Sequence, residues 1–204
     1  MNSNRGDQVR RDGRARLAVL ISGSGRSLEN LAAVIARGEL EARIELVLSS
    51  RRTAFGLERA RRLGLEACVR RRCDFATTAD FSAAVFDELR QRSIDIACLM
   101  GFLSLLEIPA DFDRRVLNIH PALLPDFGGK GMYGSHVHEA VLRAGRAQSG
   151  CTVHYCNNAY DQGAILLQRR CPVLPDDTAE TLAARVFELE KLAFPEALRQ
   201  VLGS

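Results

Sequence analysis

The fold is decided by the stretch Arg16-Leu-Ala-Val-Leu-Ile-Ser-Gly-Ser-Gly25. Five consecutive apolar side chains follow Arg16, and a glycine-rich turn closes the run at Gly25. Uninterrupted apolar runs of this length are typical of strands buried on both faces of a parallel sheet. From Ser27 the apolar residues recur with a helical period, so the stretch predicts a buried strand, a turn and a helix.

The same alternation continues along the chain. We expect further strands at about 44–48, 66–69, 94–100, 116–119, 151–156 and 164–171, together with helices at about 55–63, 79–92, 136–144 and 178–202. Strands that alternate with helices predict an α/β fold with a mostly parallel central sheet flanked by helices. The final two strands are joined by a short connection, which predicts antiparallel strands near the C-terminus. No linker interrupts residues 16–204, so we expect a single domain there.

Composition and charge exclude several classes of protein. The chain has 204 residues, 47% hydrophobic and 26% charged, which are ordinary values for a globular protein. It has no apolar run near the ~18 residues of a membrane span. It also lacks tryptophan and any basic stripe interleaved with aromatic residues, which excludes the usual nucleic-acid binders. The net charge of +3 arises within residues 1–16, and we expect residues 1–15 to be a disordered polar tail without the apolar segment of a signal peptide.

Six cysteines are present, and none forms a C-x-x-C pair. Without a secretory signal they indicate reduced thiols and a cytoplasmic location. His136 and His138 lie two residues apart at the start of a predicted helix, so their rings diverge. No ligand spacing with Cys or Asp follows them, and we therefore expect no metal site.

The turn Gly23-Ser-Gly-Arg-Ser27 is the first candidate binding site. A glycine turn before a helix presents free N–H groups and the positive end of the helix dipole, which suits a phosphate. Leu28 stands where a dinucleotide fingerprint has its third glycine, and no Gly-Lys-Ser/Thr follows as in a P-loop. A single phosphate therefore fits better than NAD or ATP. The alternative is a plain tight turn that opens a helix.

The segment Asn118-Ile-His120-Pro121 is the second candidate. Residues two apart on a strand point the same way, so Asn118 and His120 are delivered together at the carboxyl end of a buried strand. A histidine moves protons near neutral pH, and an Asn amide donates to a developing oxyanion. The alternative is a core histidine with a capping asparagine.

Asp161 lies in the turn Asn157–Gly163. A carboxylate there would sit beside His120 and raise the pKa of that ring by favouring the imidazolium. Taken alone, an Asp before x-Gly is more often an ordinary turn former. His154 is best interpreted as a satisfied buried histidine that is able to hydrogen-bond the Asp161 turn.

The chain resembles the folate-dependent formyltransferases from about Leu17 to Leu202. The resemblance is carried by the segments Leu20–Gly25, Ala54–Ala60, Gly101–Leu103, Leu117–Pro125, Gly150–His154, Asp161–Gly163 and Ile165–Gln168. It implies a Rossmann-like formyltransferase fold. It also implies transfer of a formyl group from 10-formyltetrahydrofolate to the amine of glycinamide ribonucleotide, in purine biosynthesis, by direct attack through a tetrahedral intermediate.

The resemblance further implies a role for each site residue. The catalytic residues would be Asn118, His120 and Asp161. The phosphate and ribose of the ribonucleotide would be held by Gly25, Arg26, Ser27 and Glu190. The folate would be bound by Leu103, Ser104, Leu105, Leu106, Asn157, Asn158, Ala159 and Tyr160. The implied partners are these two small molecules, with no nucleic acid, membrane or metal, in a monomer or homodimer.

Two other functions fit the same residues. One is a formyltransferase for another amine, such as a nucleotide sugar, and the other is a non-catalytic folate- or nucleotide-binding relative. The intact catalytic residues argue against a pure binder, which has no use for a proton shuttle. Hydrolases of the same superfamily usually carry a second histidine where Pro121 stands.

Overall fold

The computed structural model describes residues 13–203. Its strands are β1 (Ala15–Ile21), β2 (Ala42–Ser49), β3 (Ala67–Val69), β4 (Ile96–Leu99), β5 (Val116–His120), β6 (Gln148–Tyr155) and β7 (Ile165–Pro172). Its helices are α1 (Arg26–Ala36), α2 (Phe55–Arg62), α3 (Thr78–Gln91), α4 (Ser135–Arg143) and α5 (Ala179–Leu202). The predicted α/β architecture is confirmed.

All seven strands form one sheet in the order β3-β2-β1-β4-β5-β6-β7. The pairs from β3 to β5 are parallel, whereas β6 and β7 are antiparallel to their neighbours, as predicted for the C-terminal part. The chain runs outward from β1 to β3 and then returns to β4 on the other side of β1. The carboxyl ends of β1 and β4 therefore flank the switch point where open α/β sheets bind ligands.

The core lies on both faces of this sheet. Along β1, Leu17, Val19 and Ile21 pack on one side with α1 and α5, and Ala18 and Leu20 pack on the other side with α3. Every one of these five side chains is fully buried, which is why the run is uninterrupted rather than alternating. Each buried Leu or Ile contributes about 2 kcal/mol through the hydrophobic effect.

The helices begin in two different ways. The α3 helix starts with a capping box in which Thr77 and Asp80 satisfy each other's backbone, and α5 starts likewise with Thr178 and Thr181. The α1 helix has Gly25 at its N-cap and no capping side chain. Its first backbone N–H groups are consequently left for another partner.

Several element boundaries differ from expectation by one to three residues. The β6 strand begins at Gln148, three residues before the predicted strand, because Gln148 and Ser149 pair with the end of β7 despite their polarity. Ala15, which the sequence assigns to the tail, is the first residue of β1, and the expectation for residues 1–12 lies outside the described residues. Within residues 13–203, no helix has the length and apolar character needed to cross a membrane.

Candidate active site

A cleft of about 940 Å³ opens at the carboxyl ends of β1, β4 and β5. It is lined by the turn after β1, the loop after β4, the end of β5, the loop between β6 and β7, and one face of α5. Strands in a parallel sheet present their carboxyl ends at the same edge, so side chains from distant parts of the sequence meet here.

The glycine turn after β1 is rigidly built. Gly25 has a φ of 74°, a left-handed conformation that suits glycine. A Cβ on Gly25 would lie 2.6 Å from the Cα of Gly56 in α2, so no side chain fits at this position. The N–H of Gly56 donates to the carbonyl of Gly23 at 3.0 Å, which fixes the turn against α2. Together with the uncapped start of α1, this leaves backbone N–H groups free in a rigid turn, an arrangement that suits an anion.

Glu190 of α5 lines the same cleft as Gly25, Arg26 and Ser27. Burial raises the pKa of the Glu190 carboxyl to about 7, and the charge of Arg26 opposes this rise. The four residues that the sequence assigns to the ribonucleotide are thus brought together, with Glu190 titrating near neutral pH.

Glu190→Gln is expected to change how stability depends on pH. The carboxyl ionises near pH 4.3 in an unfolded chain but near pH 7 in the folded protein, so the wild type loses stability as the pH rises between these values. Glutamine has no such transition. The free energy of unfolding of the variant, relative to wild type, should therefore rise by about 3 kcal/mol between pH 4 and pH 8.

Urea denaturation at the two pH values measures this difference. Glu188→Gln on the same helix is the matched control, because the Glu188 side chain is 65% exposed. A Glu190 variant whose stability follows the wild-type pH profile would contradict a carboxyl that ionises near pH 7 in the folded protein.

Asn118 and His120 both reach the cleft from β5, as their spacing predicts. The antiparallel neighbour β6 places His154 opposite Asn118. The amide nitrogen of Asn118 donates to Nε2 of His154 at 3.0 Å, and Nδ1 of His154 donates to the Tyr155 carbonyl at 2.9 Å. His154 is therefore buried with both ring nitrogens partnered, which confirms its interpretation as a satisfied histidine.

Asp161 connects the other members of this cluster. Its Oδ1 accepts from the Asn118 amide at 3.3 Å, its Oδ2 accepts from the N–H of Gly129 at 2.9 Å, and Nδ1 of His120 lies 3.5 Å from Oδ2. Its φ of 55° is uncommon outside glycine and aims the side chain into the cluster. Burial raises the pKa of Asp161, but His154, His120 and the Gly129 N–H outweigh it and hold the pKa below its usual range.

His120 is 3% exposed and lies between two acceptors. Its Nε2 donates to the carbonyl of Phe127 at 2.8 Å, and its Nδ1 faces Asp161. The sequence predicts that Asp161 raises the pKa of His120, and the carboxylate does act in that direction. Burial is the larger effect, however, and lowers the pKa of the ring overall. Protonation at Nδ1 would place a proton directly between the ring and the carboxylate.

Seven of the eight residues that the sequence assigns to the folate line the cleft. They are Leu103, Ser104, Leu105, Leu106, Asn157, Ala159 and Tyr160. Asn158 is the exception, because it points away to tie two loops together. Its Oδ1 accepts from the N–H of Ile108 at 2.7 Å, so it links the loop after β6 to the loop after β4.

Sequence reasoning missed three features of the cleft. The segment Phe127–Gly129 holds His120 and Asp161 through its backbone, which side-chain identity does not reveal. His138 is buried on the cleft, and its Nδ1 has no hydrogen-bond partner among the described residues. Its spacing from the buried Val141 was the available signal. Phe187 also lines the cleft, although its helical period suggests an ordinary core residue.

A family model described as formyl transferase matches residues 15–198. The trifunctional purine biosynthetic protein adenosine-3 of Drosophila melanogaster is 38% identical over 195 residues, which cover 93% of this chain and 14% of that protein. The chloroplastic phosphoribosylglycinamide formyltransferase of Arabidopsis thaliana is 37% identical over 188 residues, which cover 91% of this chain and 64% of that protein. The chain thus spans less than two thirds of the length of these curated relatives.

Solved structures are similar over nearly their full length. Glycinamide ribonucleotide transformylase 1 from Symbiobacterium toebii aligns with a TM-score of 0.87 and 35% identity, covering 98% of this chain and 93% of that one. Phosphoribosylglycinamide formyltransferase from Brucella melitensis aligns with a TM-score of 0.84 and 39% identity, covering 94% and 97%. Across residues 13–203, no cluster of three or more His, Cys, Asp or Glu side chains is arranged to hold a metal ion.

Proposed function

The chain belongs to the formyl transferase family, and on that premise we propose that it transfers a formyl group from 10-formyltetrahydrofolate to the amine of glycinamide ribonucleotide. The products are formylglycinamide ribonucleotide and tetrahydrofolate. The observation that carries the proposal is the meeting of Asn118, His120 and Asp161 in the same cleft as the turn Gly23–Ser27.

The distance between the glycine turn after β1 and His120 suits glycinamide ribonucleotide as the acceptor. The turn follows β1 and His120 ends β5, with β4 between them, so two strand spacings or about 10 Å separate them across the sheet. A ribose 5-phosphate with a short glycinamide arm spans a comparable distance. Its phosphate would bind at the start of α1 while its amine reaches the catalytic residues.

The reaction begins when the amine nitrogen attacks the formyl carbon. A bond forms between nitrogen and carbon, the carbonyl electron pair moves to oxygen, and the tetrahedral oxyanion needs hydrogen-bond donors. Collapse then breaks the bond between the formyl carbon and N10 of the folate, while a proton leaves the attacking nitrogen and reaches N10. No covalent enzyme intermediate is required.

Asn118 and His120 are the donors proposed for the oxyanion. The amide of Asn118 now donates to Asp161 and His154, so the formyl oxygen would replace one of these acceptors. The Nε2–H of His120 now donates to the Phe127 carbonyl and would donate to the formyl oxygen instead. Asp161 would favour a proton on Nδ1 of His120 when the oxyanion forms, and a water held by Asp161 would carry the proton between the two nitrogens.

The folate would occupy the apolar part of the cleft. Leu103, Leu105 and Leu106 follow β4 and offer the flat apolar surface that a pterin ring requires. Ala159 and Tyr160 face them from the loop after β6.

We propose that the two small molecules are the only substrates and that the protein is a monomer or a homodimer. We also propose a cytoplasmic location, where the six free cysteines would stay reduced.

A spectrophotometric assay tests the proposal. Purified protein is mixed with 10-formyltetrahydrofolate, with and without glycinamide ribonucleotide, and release of the unformylated folate is followed. Release that requires the ribonucleotide is the expected result. Release without it would identify a hydrolase, and folate binding without any release would favour another acceptor amine or a non-catalytic binder.

A further inference from the structure

Phe187 is a residue of the cleft to which the proposed reaction gives no role. It lies on one face of α5 between Ala183 and Glu190, and all three line the cleft. The guanidinium of Arg26 lies over its ring, with Cζ 4.2 Å from the ring centroid. This distance is well inside the ~6 Å range of a cation–π interaction.

Within the described residues, Arg26 has no partner besides the ring of Phe187. Among residues 13–203, no carboxylate lies within ion-pair distance of its guanidinium, and no hydrogen bond restrains it. The charge of Arg26 lowers the pKa of Glu190, so the two are close, yet they do not form an ion pair. The ring of Phe187 is thus what places the guanidinium.

Arg59 provides a contrast on the other side of the same turn. It also stacks on a ring, that of Phe55 at 5.0 Å, but it pairs with Glu29 and donates to the carbonyl of Ser24 at 2.8 Å. Its charge is therefore compensated inside the protein. The Arg26 guanidinium keeps its donors free for an external anion.

The second cation near Phe187 is already engaged. Nζ of Lys191 lies 5.9 Å from the ring centroid, farther than Arg26, and it forms an ion pair with Glu188. The ring therefore acts mainly on Arg26.

We propose that Phe187 is a positioning residue that holds Arg26 ready for the phosphate of the acceptor, an inference that rests on the proposed function. Stacking fixes the plane of the guanidinium and leaves its N–H donors at the edges. Without the ring, binding would have to order a long side chain at a cost in conformational entropy. The pair Arg26–Phe187 thereby sets the preference for a phosphorylated over an unphosphorylated acceptor.

Kinetics of Phe187→Ala test this role. We expect a two- to fivefold rise in KM for glycinamide ribonucleotide, about the worth of an exposed cation–π contact. The kcat and the KM for the folate should stay at wild-type values, and activity on the dephosphorylated riboside should not change. Phe187→Leu keeps apolar bulk without an aromatic face and should raise the KM as much as Phe187→Ala does. Phe187→Tyr keeps the aromatic face and should have the wild-type KM.

A double-mutant cycle separates positioning from packing. Arg26→Ala should raise the KM about tenfold or more, as expected for loss of a charged hydrogen bond. Adding Phe187→Ala to that variant should then have no further effect. Equal effects of Phe187→Ala with and without Arg26 would overturn the inference, as would an unchanged KM. Leu192→Ala, at a side chain 56% exposed on the same helix, controls for truncation of α5.

A binding measurement keeps this inference separate from the proposed reaction. Calorimetric titration with ribose 5-phosphate needs no turnover. If the wild type binds it but does not formylate glycinamide ribonucleotide, the proposed reaction fails, and weaker binding by Phe187→Ala still supports the positioning role. Equal binding by wild type and Phe187→Ala would reject that role.

Discussion

Replacing His120 by alanine is expected to lower kcat by about a thousandfold, since in the proposed reaction the side chain would supply both an oxyanion donor and a proton carrier. The ring is buried and contacts Asp161 and the Phe127 carbonyl, and no other described side chain takes both positions. The KM for glycinamide ribonucleotide should change far less, because its phosphate would bind at the start of α1. Steady-state kinetics with both substrates measure the two effects separately.

Two further variants show whether the loss of kcat reflects lost chemistry or a damaged fold. His120→Gln keeps most of the side-chain volume and should lose kcat almost as severely, while its melting temperature stays nearer to wild type. His136→Ala removes an exposed ring that does not line the cleft and that packs edge-to-face on Tyr133. It should leave kcat unchanged. Turnover within tenfold of wild type in both His120 variants would refute the catalytic assignment.

The central sheet was predictable because its signals are local. The apolar run that forms β1 predicts a strand buried on both faces. The two-residue spacing of Asn118 and His120 predicts that their side chains point to the same face of β5. Both follow from the two-residue period of a strand. The alternation of strands and helices was then enough to predict the α/β fold.

The rest of the site depends on contacts between distant residues. The backbone of Phe127 and Gly129 hydrogen-bonds the side chains of His120 and Asp161, and backbone groups are the same in every sequence. Arg26 and Phe187 are far apart in the chain and meet only because α5 packs beside α1. Asn158 looked like a lining residue because it lies in the right loop, but its amide is directed to Ile108. Periodicity and composition carry none of this information.

Asp161→Asn is expected to lower kcat at least about a hundredfold and to change its pH dependence. The charge of Asp161 acts to raise the pKa of His120 against the effect of burial. Removing that charge lowers the pKa of the ring further. If protonated His120 is the active form, activity in the variant should be lost at a lower pH than in wild type, and the pH profile of kcat measures this shift.

Other substitutions separate the charge of Asp161 from its geometry. Asp161→Glu keeps the charge but displaces the carboxylate, so kcat should fall with a smaller shift of the pH profile. Asp126→Asn is the matched control and should behave as wild type. Asp126 lies in the segment after β5, and its exposed carboxylate pairs with Arg146. A pH profile for Asp161→Asn that coincides with wild type would show that the carboxylate does not act through the charge state of His120. It would then act as a fixed acceptor that orients Asn118 and Gly129.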